Sequence, residues 1–143
     1  MQPRPIGFEA LFNIPLVTTS KAGHFVTFPT TAAPLTRALA ERNYDSATPV
    51  QTAVLADAAG GRDLLVSAQT GSGKTVAYGL AIATNLMGDA ARFERAAAPL
   101  ALIVAPTREL ALQVQRELAW LYRYADARVV SCVGGMDPRR EQR

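Results

Sequence analysis

Cysteine and histidine are almost missing from this 143-residue chain, which has Cys132 and His24 as single copies. One cysteine excludes an intramolecular disulfide and fits a reducing compartment. Neither residue has the Cys, His or Asp neighbours that a protein-built metal site needs. No run of roughly 18 apolar residues occurs, so no segment reads as a membrane-spanning helix. The amino terminus, MQPRPIGFEALFNIPLVTTSKAGHF, is interrupted by Pro3, Pro5, Asn13 and Pro15. It lacks a clear small-x-small cleavage site and does not read as a signal peptide. The chain is therefore expected in the cytoplasm. Internal repeats and low-complexity tracts are absent too, and acidic residues are scattered so widely that no two are adjacent.

The remaining composition is that of an ordinary globular domain. Apolar residues make up 49% and charged residues 19%, and the mean hydropathy is +0.07. This excludes a disordered chain. Fifteen basic against twelve acidic residues give +3, with a pI near 9.4. That excess is compatible with a nucleic-acid partner and does not by itself argue for one. The length suits one domain with a real core.

Residues 1–27 show no sustained period and are expected to form an extension with little structure of its own, leaving residues 28–143 as the folded unit. From Pro34 the pattern becomes regular. Leu35, Ala38 and Leu39, with Tyr44 beyond, fall on one face of an amphipathic helix. In TPVQTAVLADAAGG, Thr48 is a good N-cap, Pro49 suits the first helical position and Gly60-Gly61 can end the helix. RDLLVSA (62–68) reads as a short buried strand, and a helix follows over about 73–87. LALIVAP (100–106) is continuously apolar, as a strand covered on both faces should be. Leu110, Val114, Leu118 and Leu121 then stripe a helix, and ARVVSCV (127–133) reads as a third strand, with Cys132 as a buried core thiol. Strands alternating with helices predict an α/β fold with a parallel sheet flanked by helices.

The stretch SAQTGSGKT (67–75) lies between strand and helix, the context in which a Gly-rich loop cradles phosphate. Gly71 and Gly73 allow the tight turn that points successive N–H groups inward, and the new helix adds its positive end. Along Ala68, Gln69, Thr70, Gly71, Ser72 and Gly73 the backbone would wrap a nucleoside triphosphate. Lys74 would reach the β- and γ-phosphates, and the Thr75 hydroxyl would ligate Mg²⁺. The general pattern opens with Gly, whereas here that place is Ala68. A glycine turn capping a helix would not explain the Lys74-Thr75 pair.

Two more motifs accompany the loop. Gln51 stands three residues after Thr48, where its side chain can close a capping box. In APTREL, Thr107 can cap a helix with Glu109 in its first turn. Taken with the phosphate loop, in this order and spacing, NYDSATPVQ, AQTGSGKT and PTREL resemble the Q motif, motif I and motif Ia of the DEAD-box RNA helicases. Gly134-Gly135 resembles the glycine pair that follows. The similarity spans about residues 28–136 and implies a RecA-like P-loop domain using ATP and Mg²⁺. It implies that Gln51 reads the adenine edge, favouring ATP over GTP. An upstream aromatic would stack on the base, and Phe28 is the best placed, with core packing as its other reading. Pro106, Thr107, Arg108, Gly134 and Gly135 would contact an RNA backbone without reading sequence. Arg108 also has a plainer reading as a solvated helix-start residue. Which RNA or ribonucleoprotein partners are served is not legible.

After Thr75 the carboxylates are Asp89, Glu94, Glu109, Glu117, Asp126, Asp137 and Glu141. None ends an apolar strand, and the Asp-Glu-Ala-Asp element that names the family is missing. The resemblance therefore implies the amino-terminal part of a helicase, ending inside its first RecA-like domain. Such a piece is expected to bind nucleotide without turnover, and to expose apolar surface and a strand edge that lower its stability. Family members often start just before the aromatic, which suggests a natural start near Val26. Two other readings stand beside this one: a P-loop DNA helicase or translocase, and a nucleotide-binding chain with no catalytic role.

Overall fold

The computed structural model describes residues 16–18, 28 and 31–134. Its elements run β1 (Leu16–Thr18), α1 (Ala33–Glu41), α2 (Pro49–Val54), β2 (Leu65–Ser67), α3 (Lys74–Met87) and α4 (Arg108–Leu121), with a 3-10 turn at Asp57–Ala59 between α2 and β2. The predicted start at Val26 lies outside the described residues.

Helix α1 forms where the periodicity places it. Pro34 presets the first turn, and Leu35, Ala38 and Leu39, spaced i, i+3, i+4, are buried. The helix gives way to Asn43 in a left-handed conformation at φ +56°, a region that Asn tolerates better than most residues. Helix α2 is shorter than the sequence suggests. It stops at Val54, and Ala56 is extended at φ −64°, ψ 144°, ahead of the 3-10 turn.

Helices α3 and α4 build the main core. Leu35 of α1, Leu80 of α3, and Leu118 and Leu121 of α4 are all fully buried, each contributing about 2 kcal/mol by leaving water. The two helices approach closely at Gly79, where a Cβ would lie 2.7 Å from Leu118 Cδ2 and 2.9 Å from Leu121 Cδ2. The Tyr122 hydroxyl donates to the Gly79 carbonyl at 2.6 Å, which fastens the crossing. A smaller cluster of Val50, Val54 and Ala77, with Val66 and Ala68 against it, joins α2, β2 and α3. It forms the floor under the glycine-rich loop.

Strand β2 forms within the predicted 62–68 but is shorter, at Leu65–Ser67, and is not the buried strand expected, because Leu65 and Ser67 are exposed. The other two predicted strands do not form. Among the described residues the sheet has two strands, β1 and β2, paired in parallel with Leu16 opposite Leu65, Val17 opposite Val66 and Thr18 opposite Ser67. Thus β1 arises within the segment expected to have little structure. Residues 100–106 form no ladder, and Leu102 and Val104 stand 87% and 85% exposed. Apolarity favours a strand only when a neighbouring strand satisfies its backbone and covers its faces, and no neighbour is present among the described residues. Residues 127–133 likewise form no strand, although their exposure alternates from Val129 to Val133. Val129 is held to α4 through its carbonyl, which accepts from Gln115 Nε2 at 3.3 Å. Cys132 falls on the outer side of that alternation and is exposed, which corrects the expectation of a core thiol.

Candidate nucleotide-binding site

The loop from Ala68 to Gly73 joins β2 to α3. Gly71 and Gly73 both adopt left-handed backbone, at φ +78° and +88°. That region costs an L-residue with a side chain about 1–2 kcal/mol. Around Gly71 nothing lies within 4 Å of a built Cβ, whereas at Gly73 a Cβ would stand 2.5 Å from Gln51 Nε2. Gly73 is therefore required twice, by its backbone angle and by its neighbour.

Gln51 is completely buried. Its Oε1 accepts from the Thr48 backbone N–H at 2.9 Å, and its Nε2 donates to the Gly73 carbonyl at 3.3 Å. Thr48 Oγ1 accepts from the Gln51 N–H at 3.4 Å and donates to the Ser72 carbonyl at 2.9 Å. The capping box foreseen for α2 exists, and both of its members also hold the loop. Sequence identified Thr48 only as a cap, because its second bond spans 24 residues and no local pattern signals such a contact.

Lys74 opens α3 and turns back on its own loop. Its ammonium donates to the carbonyls of Ala68 and Gln69, the latter at 2.6 Å. Ser72 Oγ, like Thr52 Oγ1, is buried without a hydrogen-bond partner, which is uncommon for a polar atom. One turn further along α3, the Tyr78 phenol is raised above its ordinary pKa. Burial is the main cause, a hydrogen bond with the Thr75 side chain works the other way, and the Glu117 carboxylate adds a smaller rise. Thr75 is half-buried at the start of α3. Tyr122 is raised more strongly, by burial first and by Tyr78 second.

A second group gathers where α4 begins. Thr107 is the N-cap and accepts from the Leu110 N–H at 3.2 Å. Arg108 Nη1 donates to the Gly134 carbonyl at 3.2 Å, so two motifs 26 residues apart meet at the surface, with Pro106 exposed alongside. Gly135 lies outside the described residues. Phe28 is half-buried and packs against the main core of α1, α3 and α4.

The family model described as DEAD/DEAH box helicase matches residues 48–143. This chain belongs to the DEAD/DEAH box helicase family. It is 40% identical over 107 residues to the ATP-dependent RNA helicase RhlB of Pseudomonas aeruginosa (strain UCBPP-PA14), covering 74% of this chain and 27% of the relative. It is also 40% identical over 97 residues to the probable ATP-dependent RNA helicase DDX46 of Homo sapiens, covering 68% of this chain and 9% of that protein. Among solved structures, the RNA helicase Prp28 from Chaetomium thermophilum bound to ADP aligns with a TM-score of 0.67 and 34% identity, over 78% of this chain and 27% of its own. The chain thus spans about a quarter or less of these proteins' lengths. Its α/β architecture is the RecA-like P-loop type. No helix among the described residues is long and apolar enough to cross a membrane.

Proposed function

We propose that this chain is the nucleotide-binding part of an ATP-dependent RNA helicase, with residues 68–75 as its phosphate clamp. The observation that carries this reading is the loop itself. Two left-handed glycines, an inward lysine and an unpartnered buried hydroxyl lie at the start of α3. The family's relatives are described as RNA helicases, which favours RNA over DNA as the polymer.

On nucleotide arrival the Lys74 ammonium would leave the Ala68 and Gln69 carbonyls for the β- and γ-phosphate oxygens, while the loop N–H groups and Ser72 Oγ take the others. Gln51 keeps one unused lone pair on Oε1 and one unused hydrogen on Nε2. It would therefore present a donor and an acceptor to adenine once residues 71–73 move aside, without losing its cap. Phe28, packed on the core, would stack on the base.

Among the described residues no group of three or more His, Cys, Asp or Glu side chains forms a metal site. One hydroxyl, from Thr75, combined with phosphate oxygens and water suits magnesium, whose charge would offset that of the phosphates. Thr107, Arg108, Gly134 and Gly135 would hold an RNA backbone. With no acidic pair anywhere in the chain, water activation has no evident base. These 143 residues are thus expected to bind ATP and not to turn it over.

Titration with Mg-ATP and Mg-GTP tests the reading. Saturable ATP binding, weaker GTP binding and a loss of about tenfold or more in Lys74→Ala are expected. Absence of saturable binding by the parent chain defeats it, and RNA-stimulated hydrolysis by these residues alone defeats the inactivity.

A further inference from the structure

Strand β2 has a weak hold of its own. It is three residues long, with Leu65 and Ser67 exposed and only Val66 half-buried against the small cluster beneath the loop. Its ladder partner is β1, and the register places Thr18 opposite Ser67. Ser67 directly precedes Ala68, the first residue of the loop and an acceptor for the Lys74 ammonium. β1 also lies beside α2, the helix whose Thr48 and Gln51 hold Ser72 and Gly73. One short amino-terminal strand therefore meets both supports of the loop.

We propose that Leu16–Thr18 is a positioning strap for the phosphate loop: by pairing with β2 and bracing α2, it restrains the conformation of residues 68–75. The amino-terminal segment then acts as part of the nucleotide site, although none of its residues is assigned to touch nucleotide. Removal or remodelling of that segment becomes a means of tuning the loop. The inference rests on the nucleotide-binding reading only for its consequence in affinity. The restraint itself is a property of the chain without ligand.

Backbone amide exchange in the full 143-residue chain tests it. Val17→Pro places a ring and a φ fixed at about −65° at the middle of the three-residue strand, which disfavours its pairing with β2. Exchange over residues 65–67 and 68–75 is expected to rise by about tenfold while α4 stays protected, as for local opening of one unit. Unchanged exchange over 68–75 overturns the proposal.

Should Val17→Pro unfold the whole chain, a register test decides. With Cys132→Ser removing the native thiol, Val17→Cys and Val66→Cys should join in an intramolecular disulfide under mild oxidation and slow exchange over 68–75. Failure to join, or joining without slower exchange, overturns the strap. If the parent chain binds no nucleotide, the functional reading falls while the exchange data still decide this one.

Discussion

Gln51 Nε2 donates to the Gly73 carbonyl at 3.3 Å, and that same nitrogen would stand 2.5 Å from any Cβ placed on Gly73. The helix that caps with Gln51 and the loop that turns at Gly73 are thus fitted to one another. Motifs that sequence treats as two separate signals form one structural unit.

Gly73→Ala should therefore be worse than Gly71→Ala. Both meet a left-handed penalty of about 1–2 kcal/mol, but only position 73 adds a collision with a buried side chain. Mg-ATP affinity and thermal midpoint, measured side by side, should both fall further for Gly73→Ala. Equal losses at the two positions would show that the Gln51 contact is slack.

Thr48 anchors both sides of the same junction. Thr48→Ser keeps the hydroxyl and should retain stability, whereas Thr48→Val removes the cap and the bond to Ser72. The valine variant should cost about 1–2 kcal/mol in urea unfolding, with faster amide exchange in the loop. A valine variant as stable as the serine one contradicts this.

Much of this was legible beforehand, and the failures have a common cause. Helices α1, α3 and α4 announce themselves through local spacing and caps, because each satisfies its own backbone. The turn of the glycine-rich loop follows from Gly71 and Gly73, whose left-handed backbone few other residues accept. A strand depends on partners distant in sequence, so residues 100–106 look like a core strand while Leu102 and Val104 face solvent. For the same reason Leu16–Thr18, with no period to betray it, pairs with β2. Gln51 shows a subtler limit. Its cap was readable, and its grip on Gly73, 22 residues away, was not.

Tyr122 links stability to pH. Its phenol is buried, donates to the Gly79 carbonyl and has a folded pKa raised above the ordinary 10. The stabilisation is fully present below that value and is lost as pH rises through 10 toward the folded pKa, because the unfolded chain ionises first. Tyr122→Phe should cost about 1 kcal/mol at neutral pH, and the gap to the parent should narrow in alkaline buffer. Chemical denaturation across pH 7 to about 11 reads this directly, and a constant gap would refute it.

Arg108 is exposed and rests on the Gly134 carbonyl. Arg108→Ala should weaken binding to unrelated single-stranded RNAs alike, reducing the salt slope by about one, with little change in melting temperature. A loss confined to one RNA sequence would point to base reading instead.

The inward-folded Lys74 carries a last consequence. Its positive charge is already solvated by two peptide oxygens of the loop it belongs to, so an incoming triphosphate does not meet a bare cation. Affinity will then measure how much better phosphate serves that ammonium than the protein's own carbonyls do. Substitutions that merely loosen this internal embrace should tighten nucleotide capture rather than impair it.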